Sequence, residues 1–139
     1  MRILALDVGD KTIGVAVSDE LALTAQGVEV IRRAGQAKDF ARIKALAESY
    51  AAHLLLIGLP KNMNGTLGPR AREVEEFARS LAVSWPEISI KLWDERLSTV
   101  AAEKSLLSFD VKRAKRRQVI DKMAAVFILQ GYLDSLKFS

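Results

Sequence analysis

The chain has 139 residues, half of them hydrophobic, with 21 Lys and Arg against 17 Asp and Glu, one His and no Cys. Such a length fits one domain, residues 1–139, with a proper core; absent cysteine excludes disulfides and thiolate metal sites, and a lone His53 leaves no histidine-rich zinc site. No apolar run approaches the roughly 20 residues that span a membrane, and Asp7 interrupts the N-terminal run a signal peptide would need, so a cytoplasmic protein without membrane contact is expected.

Met1 to Ser18 read as a β-hairpin. Ile3–Leu6 and Val15–Val17 are short apolar runs, and Gly9-Asp10-Lys11 between them is a turn signal. Residues 27–32 alternate and predict a third strand, hence an antiparallel meander. The period then changes: Phe40, Ile43, Leu46, Ala47 and Tyr50 share a helical face over 38–50. The continuous apolar run 54–59 predicts a strand covered on both faces. A polar loop, 61–68, leads to Pro69, which suits the first turn of a helix over 70–81 with Val74, Phe77, Ala78 and Leu81 inward. Residues 88–93 predict a fifth strand running into Asp94-Glu95-Arg96. Ser98 or Thr99 can cap a helix over 100–107. A basic stretch of little apolar content, 108–118, precedes a last helix from about Val119 to Leu136. The order βββ-α-β-α-β-α-α predicts an α/β fold: a mixed five-stranded sheet, three antiparallel strands then two parallel, with helices on both faces. Sites in such sheets form at the carboxyl ends of strands, where strand order reverses.

Candidate acids fall on that edge. Asp7 sits inside an apolar strand, where a bare carboxylate is costly to desolvate and needs a cation, a donor or a metal. Gly9 and Gly14 clear side chains around it. Asp94 and Glu95 end the fifth strand, and alternation lets only one of them face the site. Asp121 shares a helical face with Ala124, Ala125, Ile128 and Tyr132, which would hold it against the sheet. Each acid alone has a plainer reading, as an ion-pair partner, a solvated turn, or a first-turn residue favoured by the helix dipole. Together they would repel, and a divalent cation removes that conflict. With Cys and His unavailable, oxygen ligands point to Mg2+ or Mn2+. Metal-assisted phosphodiester hydrolysis is the reaction class these residues permit.

These motifs bring a known family to mind. Asp7-Val8-Gly9, Ile13 through Asp19, Gly58-Leu59-Pro60 with Gly65 and Gly68, Asp94-Glu95-Arg96 with Ser98-Thr99, and Asp121-Lys122 ahead of Ala124-Ala125 and Ile128-Leu129 stand in one order along the chain. In that ordered set the chain resembles the YqgF/RuvX family, whose fold is ribonuclease H-like. The resemblance implies a magnesium-dependent nuclease with Asp7, Glu95 and Asp121 as catalytic, metal-binding acids and Asp94 as the alternative to Glu95. It also implies a nucleic-acid substrate: structured RNA in 5′-end maturation of 16S ribosomal RNA precursor, or, as the alternative, a four-way DNA junction.

The net charge of +4 is modest, and its placement matters more. Candidate nucleic-acid contacts are Lys11 in the first turn, Lys61, Asn62 and Arg70 around the 61–68 loop, Arg96 beside the acids, and Lys112, Arg113, Lys115, Arg116 and Arg117 ahead of Asp121. The 61–68 loop reads either as an ordinary strand-to-helix connection or as a mobile substrate loop. Trp85 and Trp93 read as packing residues and His53 as a strand-start residue. Two other function classes compete. The Asp-x-Gly hairpin also opens sugar kinases and actin-like ATPases, but those need two such domains around a cleft, more than this length supplies. A non-catalytic RNA-binding module would have no use for carboxylates facing phosphates. A resolvase of symmetric junctions would be a two-fold dimer, and no apolar stripe commits the chain to monomer or homodimer.

Overall fold

The computed structural model describes residues 1–97 and 113–137, with side chains in the last helix described from Met123 onward. Strands β1 (Arg2–Val8), β2 (Thr12–Ser18) and β3 (Ala25–Arg32) are followed by helix α1 (Gln36–Ser49), strand β4 (Ala52–Leu59), helix α2 (Pro69–Ser84), strand β5 (Ser89–Asp94), a 3-10 turn (Glu95–Leu97) and helix α3 (Arg113–Leu136). The sheet order is β3-β2-β1-β4-β5. β1 pairs antiparallel with β2, and β2 with β3; β1–β4 and β4–β5 are parallel. This is the mixed sheet that the order of elements predicts. The chain winds one way from β1 to β2 and the other way out to β4, so the carboxyl ends of β1 and β4 meet at the switch point.

Alternation along β1 assigns its side chains to two cores. Leu4, Leu6 and Val8 face α1 and α2, where Ile43, Leu46, Val74, Phe77 and Leu81 are buried. Ile3 and Ala5 face the other side, with Ala16 and Leu56, against Ala124, Ala125, Ile128 and Leu129 of α3. Both faces of β1 and β4 are therefore covered, which is why their sequences are nearly continuous apolar runs. The two alanines of α3, fully buried, let that helix lie close on the sheet. Pro69 stands in the first turn of α2 after Gly68, as its fixed φ favours. Trp85 is buried against the α1–α2 core, and Trp93 packs edge-on to Tyr132 with ring centroids 5.4 Å apart.

Several boundaries differ from the sequence reading, those of α1, β4, α2 and β5 by one to three residues, and two more in β3 and α3. β3 begins at Ala25, and α3 begins at Arg113, so the basic run 113–117 is helical. Arg, Lys and Gln are good helix formers, and the lack of an apolar stripe concealed this. The expected helix over 100–107, its Ser98 or Thr99 cap, and Lys112 lie outside the described residues.

The turn after Asp7 is braced from below. Gly9 N–H donates to the Thr12 carbonyl at 2.8 Å, and Arg33 Nη1 donates to the Gly9 carbonyl at 2.8 Å. Arg33 in turn lies over the Phe77 ring, 5.4 Å from its centroid, and pairs with Asp39 of α1 at 3.4 Å. Asp39 is 2% exposed and also accepts the Ala34 N–H at 2.9 Å, which ties the start of α1 to the end of β3. Removing that carboxylate takes the partner from the Ala34 N–H and loosens Arg33. Asp39→Ala should cost about 1–3 kcal/mol, read as a lower urea midpoint at an unchanged denaturant slope.

Candidate active site

Asp7 is the next-to-last residue of β1, and it stands opposite Gly14 of β2. It lies on the Ile3–Ala5 side of the strand, the side that α3 covers. The hairpin partner contributes no side chain beside it, and Asp7 is half-buried. On the other flank the parallel register runs to Leu6 opposite Ile57, and the next residue of β4 is Gly58.

Gly58 is a position of close approach. A Cβ built there would lie 2.5 Å from Ile128 Cδ1 of α3 and 2.7 Å from Glu95 Oε1. Glu95 therefore reaches from the end of β5 across the end of β4, on the α3 side of the sheet. That is the side of Asp7. The parity of β5 agrees: Trp93, two residues earlier, packs with the α3 core, and Lys91 lies over Tyr132 of α3 at 5.1 Å.

Asp94 faces the other way. Its β4 partner is Leu59, and its neighbours in phase, Ile90 and Leu92, pack with the α1–α2 core. Arg96 Nη2 donates to Asp94 Oδ2 at 2.7 Å, and Lys61 Nζ lies 4.0 Å away from the same oxygen. The hydrogen bonds from Arg96 hold the Asp94 carboxyl below the usual carboxylate range. The two adjacent acids that the sequence left open as alternatives thus occupy opposite sides of the sheet.

Of the remaining candidates, Asp121 belongs by backbone to α3, about two turns before Ile128; its side chain is outside the described residues. Among the described residues no three His, Cys, Asp or Glu groups are arranged to hold a metal ion. Lys11 is exposed at the tip of the β1–β2 turn, and Arg70 is exposed in the first turn of α2, on a cleft shared with Gly9 and Arg33. Asn62 opens a turn in the loop that follows β4. Arg113, Lys115, Arg116 and Arg117 form the first turns of α3 by backbone, and Lys112 is outside the described residues. Arg33 and the close approach at Gly58 were not foreseen. A single arginine after a strand carries no motif, and Gly58 in Gly58-Leu59-Pro60 reads first as the start of a loop.

No described helix is long and apolar enough to cross a membrane. The sequence model of the RuvX family, described as Holliday junction resolvase, matches residues 1–135. A protein of Desulfitobacterium hafniense named "Putative pre-16S rRNA nuclease" is 58% identical over 99% of this chain and 94% of its own. A protein of the same name from Clostridium kluyveri is 52% identical over 98% of each chain. Among solved structures, Thermus thermophilus RuvC in complex with a Holliday junction substrate superposes with a TM-score of 0.60 at 13% identity, over 100% of this chain and 97% of its own, a likeness of fold. A ribonuclease H-like sheet carrying acids at its switch point, and a match along nearly the whole sequence, lead to one assignment: the chain belongs to the RuvX family of nucleases.

Proposed function

We propose that the chain is a metal-dependent nuclease whose acids are Asp7, Glu95 and Asp121. The observation that supports this is the placement of Asp7, by strand parity, and of the Glu95 carboxylate on one side of the sheet, with Gly58 bare at the end of β4. Carboxylates gathered at one sheet end are the ligands a hard divalent cation prefers. Oxygen-only donors and a space that one Cβ would fill suit Mg2+ or Mn2+. Asp7 and Glu95 would hold the cation with Asp121 of α3. When bound, it supplies Lewis-acid charge to the phosphodiester oxygens and a more acidic water. The chain's own residues do the rest. β1 and the 3-10 turn fix the two carboxylates on rigid elements, while Lys11, Arg70 and the basic start of α3 meet the phosphate backbone.

The substrate we favour is 16S ribosomal RNA precursor, as named for relatives more than half identical to this chain; its 5′ leader is the part that the family resemblance implies. Cleavage of a four-way DNA junction is the second reading, and the description of the matching family favours it. A purified-protein assay separates them: precursor RNA and a four-way DNA junction, each with Mg2+, with Mn2+ and with EDTA. Metal-dependent cutting of RNA is expected. Cutting of DNA alone would establish the second reading, and binding of RNA without cutting by either metal would leave a non-catalytic RNA-binding module. Asp7→Asn should lower cleavage by about a thousandfold, the equivalent of several kcal/mol of lost charge stabilisation, while RNA binding in EDTA persists.

The two adjacent acids should separate in a metal titration. Glu95→Gln should weaken Mn2+ binding, followed by calorimetry or electron paramagnetic resonance, and Asp94→Asn should leave it in place. The reverse result would exchange their roles. Gly58→Ala tests the bare strand end. The nearest atoms are Ile128 Cδ1, on a fully buried side chain, and Glu95 Oε1, so side chains must shift and the fold should lose about 1–3 kcal/mol. Displacing the Glu95 carboxylate should cost about tenfold or more in turnover, since a shift of roughly 1 Å in a positioned group has effects of that order or larger. Equal, small losses in both measurements would count against the site.

A further inference from the structure

Arg96 joins two segments of chain. Its Nη2 donates to Asp94 Oδ2 at 2.7 Å, its Nε lies 3.2 Å from both Asp94 oxygens, and its backbone N–H donates to Asp94 Oδ1 at 3.0 Å. Nη1 points to the other segment and donates to the Met63 carbonyl at 3.3 Å. The same guanidinium covers Gly65, where a Cβ would stand 3.4 Å from Nη1. Gly65 has a φ of +87°, a conformation that disfavours any side chain, and its N–H closes a turn onto the Asn62 carbonyl at 2.8 Å.

The loop so held is also bonded to itself. Asn62 N–H donates to the Thr66 carbonyl at 3.0 Å, Asn62 Nδ2 to Thr66 Oγ1 at 3.0 Å, and Thr66 N–H to Asn64 Oδ1 at 3.1 Å. Met63 stands at its tip, 91% exposed. Where the sequence left open an ordinary connection or a mobile substrate loop, the structure has a closed turn fastened to the end of β5, next in sequence to Glu95. An arginine whose fork lies on one carboxylate, and whose remaining amino group lies on a carbonyl, has few donors left for a phosphate.

We infer that Arg96, held by Asp94, is a positioning residue: it fixes the 61–66 loop beside Glu95 as a preformed surface for nucleic acid. This rests on the nuclease reading above. A loop ordered before binding loses less freedom when substrate arrives, so its fastening strengthens binding without touching the substrate.

The test uses the full chain and a fluorescein-labelled RNA carrying the 16S 5′ leader, in EDTA, over a salt series, with Arg96→Met, Gly65→Ala and the double variant. Gly65→Ala disturbs the turn and leaves the Asp94–Arg96 pair intact, so it reports even if Arg96→Met folds poorly. Each single variant should weaken binding about tenfold with the salt slope unchanged, and the double should bind no worse than the weaker single. Amide exchange at Asn62 and Gly65 should quicken in Arg96→Met. A salt slope smaller by about one, with Gly65→Ala silent, would make Arg96 a direct phosphate contact and overturn the inference. So would additive losses, unchanged amide exchange, or faster exchange with unchanged RNA binding. If the parent chain bound neither this RNA nor four-way DNA, the proposed function would fall along with the surface inferred from it.

Discussion

A carboxylate at the end of a strand covered on both faces needs space and a counter-charge, and the carboxyl edge of this sheet is arranged around that need. Gly14 leaves the hairpin side of Asp7 without a side chain, and Gly58 leaves the end of β4 bare under Glu95. Neither glycine serves a turn with positive φ; each stands within a β-strand, where glycine is otherwise a weak choice. The loss of local strand stability there is offset by packing elsewhere. Leu4, Leu6, Leu55 and Ile57 are fully buried against α1 and α2, and Ala5 and Leu56 against α3.

The rest of the molecule holds that edge still. α3 lies close on the sheet because Ala124 and Ala125 face it, and the same closeness brings Ile128 to Gly58. From the opposite face, Arg33 ties the Gly9 carbonyl to Asp39 and to the Phe77 ring, so the turn that follows Asp7 is fixed to α1 and α2 together. Asp39 is almost fully buried and Arg33 is partly exposed, an arrangement in which loss of the arginine leaves a buried charge with one backbone partner. Asp7 stands on a strand and Glu95 on the turn directly after one, while the basic candidates stand on turns and helix starts.

Much of this architecture was legible in the residues. Period and run length distinguished β4 from α1, Pro69 marked the start of α2, and the buried faces of α1 and α2 follow the apolar spacing. Asp7 was conspicuous because a charged residue interrupts an apolar run. Three features were less legible, for physical reasons. Composition without an apolar stripe gives no period, so Arg113 to Gln118 did not declare itself helical although its residues favour helix. Alternation cannot choose between Asp94 and Glu95, because it says that neighbours diverge and not which one faces α3; that required the phase of Trp93 and Lys91 against Tyr132. And a charge count treats Arg96 like any other basic residue near a site, whereas its meaning lies in the Met63 carbonyl and Gly65, some thirty residues away.

Asp94-Glu95-Arg96 therefore compresses two tasks into three adjacent residues. Where β5 ends and the chain tightens into a 3-10 turn, successive side chains still leave on different sides. Glu95 goes to the α3 side, over Gly58. Asp94 and Arg96 go to the side of the 61–66 loop and neutralise each other there. Spending an arginine and an aspartate on a pair next to a site that must attract polyanions looks wasteful, since the pair adds no net charge. It becomes intelligible if the limiting difficulty is geometric. In the proposed reading, Lys11, Arg70 and the start of α3 would supply attraction at a distance, where exact placement matters little. Near the acids, the Asp94–Arg96 pair uses its charges to hold the 61–66 loop in one conformation.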